Sequence, residues 1–526
     1  MSAHTPAGMP PMTLELLTPA EMAEADRLAI AAGPFDGIGL MRNAGWAVAT
    51  VVLARFPGAR RVHVLAGPGN NGGDGYVVAK ILQESGVAVS LWASGPPRTG
   101  SDAALAADDC PVPTKPLAEF EAGPGDVVVD TLYGAGLSKP LASDAARAVA
   151  LVAAKGLPVV AVDLPSGISG DSGAVLGCAF AATVTITFAR RKPGHLLLPG
   201  RDLCGELIVA DIGIAPAVVE ALAVKTFENR PALWRRSFPS PAVDTHKYRR
   251  GHVGVFSGGA SSTGAARLSA LAAARSGAGA VTVLSPGDAM QANAAHLTAI
   301  MLRQVDELAD LHGFLADRRP SAFVLGPGFG VGDRARAFTL AVLASGSGAG
   351  SGVEGLVLDA DGITSFRDEP GQLFAAAARP GAPALVLTPH EGEFARLFPA
   401  IAEDDSLSKL GKARAAAAAA HAVVIYKGAD TVIASFDGRA AINANGAPWL
   451  ATAGSGDVLA GIVAGLIAQG MPAFEAACAG VWLHAEAGSR FGPGLIAEDL
   501  PGALPPMLRD LFSLPPQSRS DCRPGP

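Results

Sequence analysis

Residues 61–75 read Arg-Val-His-Val-Leu-Ala-Gly-Pro-Gly-Asn-Asn-Gly-Gly-Asp-Gly, an apolar run that passes directly into a segment rich in glycine. The run 61–66 predicts a strand that is buried on both faces, as in a parallel sheet covered by helices. Residues 67–75 predict a tight turn, and we expect a helix to begin near Tyr76. Glycines at such a turn let backbone N–H groups approach a phosphate at the start of the helix. The stretch therefore predicts an α/β fold with an anion-binding turn.

The same alternation of apolar strands and alanine-rich helices continues along both halves of the chain. Each predicted strand ends in a polar or glycine-bearing segment, and ligands of open parallel sheets lie at the carboxyl ends of the strands. Residues 18–52 are predicted to be helical, with Thr18 as N-cap and Glu21 at the capping-box position. The further predicted strands are 88–92, 126–130, 158–163, 182–187, 252–256, 280–284, 322–325, 355–359, 384–388 and 422–426.

The length of 526 residues predicts two or three domains, because one hydrophobic core rarely serves so long a chain. Scattered prolines and weak periodicity between 214 and 248 place the boundary near residue 222. We expect domains at 12–222 and 223–514, and a Pro-, Ser- and Arg-rich tail at 515–526 that is disordered. The Gly- and Ser-rich stretch 344–355 is predicted to be a surface loop.

Composition excludes several classes of function. A net charge of −7 offers no basic field to nucleic acid or to anionic membranes. The five cysteines are scattered and form no CxxC pair, which argues against a disulfide framework and a structural zinc site. The apolar stretch 458–474 contains Gly, Gln and Pro, and we interpret it as a buried helix rather than a membrane span. The start lacks the pattern of a secretory signal, so we expect a cytoplasmic protein.

Polar groups cluster at three strand ends of the first half. Asn70, Asn71 and Asp74 stand among the glycines, while Asp130 and Asp163 each end a predicted strand and precede a glycine-bearing turn. For any single Asp, a turn or helix cap is the simpler interpretation, but three such turns at successive strand ends favour a site.

Oxygen ligands in these turns suit a hard cation rather than a soft transition metal, and the candidates are Asn71, Asp130 and Ser166. Lys192 follows another strand, within Arg190-Arg-Lys-Pro193. We interpret it as a solvated or phosphate-steering charge.

The strongest chemical signal lies in the second half, where residues 452–461 read Thr-Ala-Gly-Ser-Gly-Asp-Val-Leu-Ala-Gly. Backbone N–H groups of Gly454 to Gly456 can face an anion, and Asp457 can accept a proton from a hydroxyl beside a transferring phosphoryl group. Taken alone, a glycine turn with a capping Asp explains the motif equally well.

Other strand ends favour a nucleotide site. Residues 427–431 read Lys-Gly-Ala-Asp-Thr, residues 326–330 read Gly-Pro-Gly-Phe-Gly, and His390 follows a third strand. The carboxylates of Asp359 and Asp361 are candidates to hold substrate or magnesium. A Walker A motif is absent from the sequence, which argues against an ordinary P-loop kinase.

The segment 17–214 resembles the NAD(P)HX epimerase family, the amino-terminal YjeF-type domain. The resemblance rests on Leu-Thr-Pro-Ala-Glu-Met at 17–22, on the nine residues 67–75 and on Asp-Leu-Pro-Ser-Gly at 163–167. It implies a Rossmann-like three-layer sandwich, potassium at Asn71, Asp130 and Ser166, and Asp163 as the carboxylate that assists epimerisation at C6 of the hydrated nicotinamide ring. The implied substrate-binding residues are Asn70, Asn71, Gly72, Gly73, Asp74, Gly134, Ala135, Gly136, Leu137, Ser138, Lys139, Pro140 and Asp163.

The segment 224–514 resembles the ADP- or ATP-dependent NAD(P)HX dehydratase branch of the ribokinase-like superfamily, a three-layer α/β fold. The Gly-x-Gly-Asp ending, Lys-Tyr-Arg-Arg-Gly-His-Val-Gly at 247–254 and Thr-Pro-His-Glu-Gly at 388–392 carry the resemblance. It implies Asp457 as catalytic base and Mg²⁺ bound with ADP. The implied hydrate-binding residues are Ala265, Gly328, His390 and Asp457, and the implied nucleotide-binding residues are Lys427, Gly428, Ala429, Asp430, Thr431 and Gly456. Residues 257–264 depart from the family pattern, because they lack the aromatic that is common before the last glycine of this segment.

Together these resemblances imply a bifunctional repair enzyme for damaged nicotinamide cofactors. It would interconvert the R and S hydrates of NADH and NADPH and dehydrate the S form at the expense of ADP, giving AMP and phosphate. We expect small-molecule partners, no nucleic acid or membrane, and a homo-oligomer. The alternative is a small-molecule kinase of the hydroxymethylpyrimidine or sugar type, fused to a non-catalytic nucleotide- or RNA-binding module. The intact Asn70, Asn71 and Asp163 and the acidic net charge argue against an RNA-binding module.

Overall fold

The computed structural model describes residues 13–346 and 352–513. The chain divides into two compact units, Met1–Thr226 and Phe227–Pro526. The predicted boundary near residue 222 lies close to this division. The predicted tail at 515–526 and residues 347–351 of the predicted loop at 344–355 lie outside the described residues.

The first unit contains a seven-stranded sheet in the order β3-β2-β1-β4-β5-β6-β7, and all its pairings are parallel. This strand order is Rossmann-like, in agreement with the Rossmann-like sandwich that the family resemblance implied. The order reverses between β1 and β4, so a crevice opens at their carboxyl ends. The strands are β1 Arg61–Ala66, β2 Val89–Ala93, β3 Thr114–Pro116, β4 Asp126–Thr131, β5 Val159–Val162, β6 Val184–Phe188 and β7 Glu206–Ala210.

The predicted helical stretch 18–52 consists of two helices. Thr18 caps the first as expected, because its Oγ accepts from the N–H of Glu21 at 3.2 Å while the Glu21 carboxylate accepts from the N–H of Thr18 at 2.8 Å. Gly33 and Pro34 interrupt the stretch, and Asp36 caps the second helix by accepting from Gly39 N–H at 2.9 Å. The α-helices of this unit are α1 Pro19–Ala32, α2 Gly37–Arg55, α3 Asn70–Glu84, α4 Asp102–Asp108, α5 Ser143–Lys155, α6 Gly200–Leu203 and α7 Pro216–Ala221.

Helix α2 is the one described helix that is long and apolar enough, by length and composition, to span a membrane. One face of the helix, including Leu40, Ala44, Val48 and Val52, is buried in the hydrophobic core of the first unit. Core helices of globular domains also combine such length and hydropathy, so this is weak evidence for a membrane span.

The second unit contains a ten-stranded mixed sheet in the order β11-β10-β9-β12-β13-β14-β15-β16-β17-β8. Pairing is parallel from β11 to β15, and then β15, β16 and β17 pair antiparallel. The strands are β8 Thr226–Glu228, β9 His252–Phe256, β10 Ala280–Ser285, β11 Met301–Gln304, β12 Ala322–Leu325, β13 Gly355–Leu358, β14 Ala384–Leu387, β15 Val423–Tyr426, β16 Val432–Ser435 and β17 Ala440–Ile442.

Helices cover this sheet. The apolar stretch 458–474 was predicted as one buried helix, but only its part up to Ala468 lies in a buried helix, α18 (Ser455–Ala468), and the rest forms a turn and the start of α19 (Ala473–Phe491). Glycines bring α18 close to its neighbour α9, since a Cβ on Gly461 would overlap the carbonyl of Ser269. The described α-helices of this unit are α8 Pro231–Trp234, α9 Gly264–Arg275, α10 Met290–His296, α11 Leu308–Arg318, α12 Asp333–Ala344, α13 Asp361–Thr364, α14 Pro370–Ala377, α15 Glu391–Leu397, α16 Pro399–Ala402, α17 Lys409–Ala420, α18 Ser455–Ala468, α19 Ala473–Phe491 and α20 Leu500–Ser513.

Candidate active sites

A cavity of about 750 Å³ opens in the first unit where the strand order reverses. It is bounded by α1, α2, the first turn of α3 and the loop that follows β4. Most of the residues predicted to bind substrate line it, namely Asn70, Asn71, Asp74, Gly134, Ala135, Gly136, Leu137, Ser138, Lys139, Pro140 and Asp163.

The glycine-rich motif is more helical than predicted, because α3 begins at Asn70 and not near Tyr76. Three of its glycines allow close packing. A Cβ on Gly72 would overlap the backbone of Gly67, one on Gly73 would meet the Met41 side chain, and one on Gly75 would overlap Thr131. Gly72 and Gly73 are thus buried and are not among the residues that line the cavity. The packing seats the first turn of α3 against β1 and β4, which presents its polar side chains to the crevice.

Asp163 follows β5 and has a backbone φ of +65°. Its carboxylate accepts from Thr187 Oγ at 3.0 Å, from Lys192 Nζ at 2.7 Å and, through the other oxygen, from Ala135 N–H at 2.8 Å. Burial alone would raise the pKa of this carboxyl, but the charge and hydrogen bond of Lys192 outweigh burial and lower the pKa to about 2. Asp163 is therefore a fixed, ionised carboxylate at the cavity wall.

Lys192 is not the solvated charge that the sequence suggested. Its side chain is 2% exposed, and besides Asp163 it donates to Thr187 Oγ at 2.9 Å. His195 holds both segments, because its Nε2 lies 2.7 Å from the carbonyl oxygen of Asp163 and its Nδ1 accepts from Lys192 N–H at 2.8 Å. A carbonyl oxygen only accepts, so Nε2 carries the hydrogen and the ring is neutral. Burial and the Lys192 charge lower the pKa of His195 to about 4, in agreement with that state.

The predicted cation ligands lie around the start of the loop after β4. Ser166 Oγ lies 2.6 Å from the Asp130 carboxylate and 2.9 Å from the carbonyl oxygen of Tyr133. The side chain of Asn71 is placed between Val162 O and Gly134 N. Burial raises the pKa of Asp130 to about 6, although hydrogen bonds from Ser166 oppose this. Among the described residues no group of three or more His, Cys, Asp or Glu residues is arranged to hold a metal.

In the second unit, four strand ends and one helix start meet. Gly454, with a φ of +87°, precedes α18, and Asp457 lies in the first turn of that helix. A Cβ on Gly456 would lie 3.3 Å from Lys427 Nζ and 3.5 Å from an Asp359 oxygen. A side chain at this position would press on the Lys427 ammonium group, which glycine avoids. The structure therefore brings the predicted catalytic and nucleotide-binding segments together.

Lys427 lies between two buried carboxylates. Its Nζ is 3.0 Å from Asp359 Oδ1 and 3.9 Å from Glu393 Oε2, and Thr388 Oγ donates to the same Asp359 oxygen at 2.6 Å. Burial would lower the pKa of Lys427, but the two carboxylates reverse this and raise it above its ordinary value. The ammonium group is thus charged and fixed beside the glycine turn.

The same charges act on Asp457. Burial and the negative charge of Asp359 raise its pKa to about 7, while the charge of Lys427 opposes the shift. A carboxyl group with a pKa near neutrality is a much stronger base than an exposed aspartate and still ionises at neutral pH. The geometry and the pKa both suit the proton acceptor that the sequence predicted.

Two of the predicted hydrate-binding residues, Ala265 and Gly328, lie next to each other. Ala265 is in the first turn of α9, one turn before Ser269, whose Oγ donates to the carbonyl oxygen of Asp457 at 2.8 Å. Gly328, with a φ of +65°, lies beside Ala265, because a Cβ on Gly328 would be 3.6 Å from that of Ala265.

His390 caps α15 by accepting from Gly392 N–H at 3.0 Å, and its side chain is 56% exposed. His390 is therefore a half-exposed helix cap and not a histidine packed within a loop. Its Nε2 lies 3.4 Å from Glu393 Oε1, which connects it to the Lys427 cluster.

The predicted nucleotide turn, 427–431, joins β15 to the antiparallel strand β16. Thr431 Oγ closes it by accepting from Gly428 N–H at 3.2 Å, and Asp430 pairs with Lys409 Nζ at 2.5 Å. A Cβ on Gly446 would lie 3.2 Å from the carbonyl oxygen of Ala429, so the loop after β17 passes close to the turn.

Lys409 and His484 were not predicted from the sequence. Buried His484 lies with Nε2 2.9 Å from both the hydroxyl and the carbonyl oxygen of Ser455, at the start of α18. The predicted site residues lie at strand ends that contain glycine, and neither Lys409 nor His484 lies at such a strand end.

Comparison with protein-family models matches residues 37–194 to the YjeF-related protein N-terminus and residues 253–501 to NAD(P)H-hydrate dehydratase. The bifunctional NAD(P)H-hydrate repair enzyme Nnr of Coxiella burnetii is 34% identical over 492 residues, which cover 91% of this chain and 96% of that protein. The enzyme of the same name from Moorella thermoacetica is 35% identical over 94% of this chain and 97% of its own. The chain belongs to the bifunctional NAD(P)H-hydrate repair enzymes.

Among solved structures, the chain is similar to an ADP/ATP-dependent NAD(P)H-hydrate dehydratase from Bacillus subtilis that was co-crystallized with ATP/Mg²⁺. The identity is 24%, the match covers 54% of this chain and 98% of that one, and the TM-score is 0.46. The family assignment supports lyase and isomerase activities and favours the repair function over a small-molecule kinase fused to a non-catalytic module. It also confirms the sequence resemblance on which the two predicted activities rested.

Proposed function

We propose that the second unit dehydrates the S form of hydrated NADH or NADPH with ADP as the phosphoryl donor, giving AMP and phosphate, and that the first unit interconverts the R and S forms. The observation that carries the proposal is the meeting of Gly456, Lys427, Asp359 and Asp457 at one edge of the second sheet. This edge offers backbone N–H groups and a fixed cation to phosphate, with a base beside them.

In the proposed dehydration, Asp457 accepts the proton of the C6 hydroxyl as that oxygen attacks the terminal phosphoryl group of ADP. AMP leaves, and the new phosphate ester at C6 departs as phosphate when the electron pair of the ring nitrogen forms a C–N double bond. Loss of a proton from C5 then restores the dihydropyridine ring. The pKa of about 7 for Asp457 suits a base that must be ionised before each turnover.

The nucleotide would be held by the turn 427–431, by the Lys427 charge and by the backbone at Gly456. Carboxylate oxygens of Asp359 and Asp361 at the same edge suit Mg²⁺, which prefers oxygen ligands. When bound, Mg²⁺ would neutralise negative charge on the phosphates. Asp361 already anchors the neighbouring loop, because it accepts from Gly330 N–H at 2.9 Å.

For the first unit we propose a potassium ion held by Asn71, Asp130 and Ser166. The donor set consists of oxygen atoms, which suits a hard cation. Burial raises the pKa of Asp130, and hydrogen bonds from Ser166 and Leu132 oppose the rise. A bound cation would add the positive charge that stabilises the ionised carboxylate. Asp163 would contact the hydrated ring at the cavity wall.

Separated R and S hydrates test the two activities in one chain. With ADP, the S hydrate should give reduced cofactor and free phosphate, and Asp457→Ala should abolish this reaction while ADP still binds. A phosphorylated organic product without reduced cofactor would instead establish the small-molecule kinase. Asp163→Ala should consume the S hydrate normally and leave the R hydrate to its uncatalysed conversion.

A further inference from the structure

Four carboxyl groups line the cavity of the first unit, and one buried ammonium group, that of Lys192, lies among them. Three of the four act on one another electrostatically, namely Asp26 on α1, Asp74 on α3 and Asp163 after β5, while the fourth is Asp102 on α4. Lys192 forms its ion pair with Asp163, at 2.7 Å. One ammonium group compensates one carboxylate, so the three carboxyl groups cannot all be ionised in a buried site at small cost.

Asp74 is the carboxyl group with the least compensation. It is 8% exposed, and among the described residues no side chain forms an ion pair or hydrogen bond with its carboxyl. Its electrostatic neighbours are Asp163 and Asp26, both of which oppose its ionisation. Because Asp163 keeps its negative charge through Lys192, binding a proton is the way for Asp74 to avoid a second uncompensated charge.

We infer that Asp163 is the proton-accepting group of the epimerisation and that Asp74 is the proton-donating group. Lys192 sets these roles because it forms an ion pair with Asp163 and not with Asp74. The inference rests on the proposed epimerase activity. It adds to that activity a proton donor, Asp74, and a residue that keeps the proton acceptor ionised, Lys192. Lys192 is a positioning residue, since it acts through Asp163.

The reaction follows from the chemistry of C6, which carries both a hydroxyl group and the ring nitrogen. Asp163 takes the hydroxyl proton, the C6–N1 bond breaks with its electron pair passing to N1, and Asp74 gives its proton to N1. The open form has an aldehyde at C6 and an N–H group at N1. Rotation about C5–C6 presents the other face of the carbonyl, and closure reverses both proton transfers. Both carboxyl groups return to their starting states, so no further reactant is needed.

The protonation states of Asp163 and Asp74 follow from the same difference, since only Asp163 is paired with Lys192. Lys192 lowers the pKa of Asp163 to about 2 against the effect of burial, whereas burial and the charges of Asp163 and Asp26 raise the pKa of Asp74 well above its ordinary value. Two carboxyl groups whose pKa values are driven apart in one site are the usual basis of an acid–base pair. The other charged or titratable groups that face the cavity or lie behind its wall are Asp26, Asp102, Tyr133, Lys139 and His195.

The test uses the full chain and the R hydrate, with excess Asp163→Ala chain and ADP to consume the S form as it appears. Asp74→Asn should lower kcat for epimerisation by about 10²–10⁴-fold, the usual contribution of a general acid. Asp74→Glu should retain more activity than Asp74→Asn, because it keeps a proton to donate. If Asp74 had only a structural role, Asp74→Asn, which keeps the shape of the side chain, should retain more activity than Asp74→Glu. Asp109→Asn, at an exposed carboxyl at the end of α4, should change nothing.

Lys192 is tested by the pH profile between pH 4 and 8, after subtraction of the uncatalysed rate. The parent profile should be flat on the acid side. Lys192→Met should bring an acid limb into the range above pH 4, because burial then raises the pKa of Asp163 without the opposing ammonium charge, and Lys192→Arg should largely restore the parent profile. An Asn variant at Asp74 that matches or exceeds the Glu variant, or a Met variant at Lys192 whose profile matches the parent, would overturn the inference. If Asp163→Ala also epimerises the R hydrate normally, the proposed function fails as well.

Discussion

Replacing Lys427 by methionine perturbs the centre of the second unit in two measurable ways. The substitution keeps the length of the side chain and removes the charge between Asp359 and Glu393. Asp359 is 2% exposed, so its carboxylate is left buried without its cation. Breaking a buried pair in this way usually costs roughly 3–5 kcal/mol. The Thr388 hydroxyl still donates to Asp359, at 2.6 Å, and we therefore expect the lower end, about 3 kcal/mol.

Calorimetry would show this loss as a fall in the melting temperature of the second unit of about 6–12 °C, since each kcal/mol shifts a domain of this size by about 2–4 °C. The double variant Asp359→Asn with Lys427→Met should recover at least half of the loss, because it removes the buried carboxylate that lies closest to the lost ammonium group. Lys80→Met is the matched control. Its ion pair with Asp109 lies at the surface of the first unit, and surface pairs contribute about 0–1 kcal/mol.

The second effect is on the pH dependence of dehydration. Lys427 opposes the rise in the pKa of Asp457, so its removal should raise that pKa further above 7 and move the acid limb of kcat/KM to higher pH. Arginine at position 427 should keep the limb near its parent position. A Lys427→Met protein that melts within 2 °C of the parent and keeps the acid limb at the same pH would refute the reasoning.

Three further predictions follow from single contacts. Dehydration by the parent chain should fall about tenfold per pH unit below pH 7 and level off above it, because Asp457 must be ionised and its pKa is about 7; a flat profile from pH 5 to 8 would contradict its role as base. In a denaturation assay, Gly258→Ala should destabilise the second unit by about 1–3 kcal/mol, because its Cβ would overlap the carbonyl oxygen of Gly328, and it should also weaken hydrate binding. The control Gly371→Ala, which has open space around it, should be neutral or slightly stabilising in that assay. Thr18→Ala should cost about 0.5–2 kcal/mol in denaturant unfolding through loss of the α1 cap, and an unchanged midpoint would show that the cap contributes nothing.

The parallel strands were predictable because they are continuously apolar, and each predicted strand from 61–66 to 422–426 has a counterpart in the structure. The strands missed by the prediction are short, belong to a different arrangement or lie at the outer end of a sheet. One of them, Glu206–Ala210, did carry an apolar run, Leu-Ile-Val-Ala at 207–210, that the prediction overlooked. Thr114–Pro116 and Met301–Gln304 lie at the outer end of a sheet and are largely exposed, so they lack an apolar pattern. The hairpin of Val432–Ser435 and Ala440–Ile442 did carry a signal, Asp437-Gly438 between two apolar runs, which is typical of a tight antiparallel turn.

Within the sites, the sequence indicated residues at glycine-bearing strand ends and missed those that hold them. Asp163 and Asp457 stand in such turns, whereas Lys192 stands in a basic run that looked like a solvated surface. Its burial results from the segment after β6 folding over the end of β5, a long-range contact that no local pattern shows. The position of the segment, after a predicted strand, was the available signal. The start of α3 was placed too late because its glycines were interpreted only as turn residues and not as close-packing positions within a helix.

The central claim is that one chain repairs both hydrates, with each unit responsible for one step. The direct measurement is the recovery of reduced nicotinamide absorbance from an equal mixture of R and S hydrates with ADP. We expect complete recovery by the parent chain, recovery of the S half followed by a slow uncatalysed phase with Asp163→Ala, and no recovery with Asp457→Ala. Complete and rapid recovery by the Asp163→Ala chain, or undiminished recovery by the Asp457→Ala chain, would contradict it.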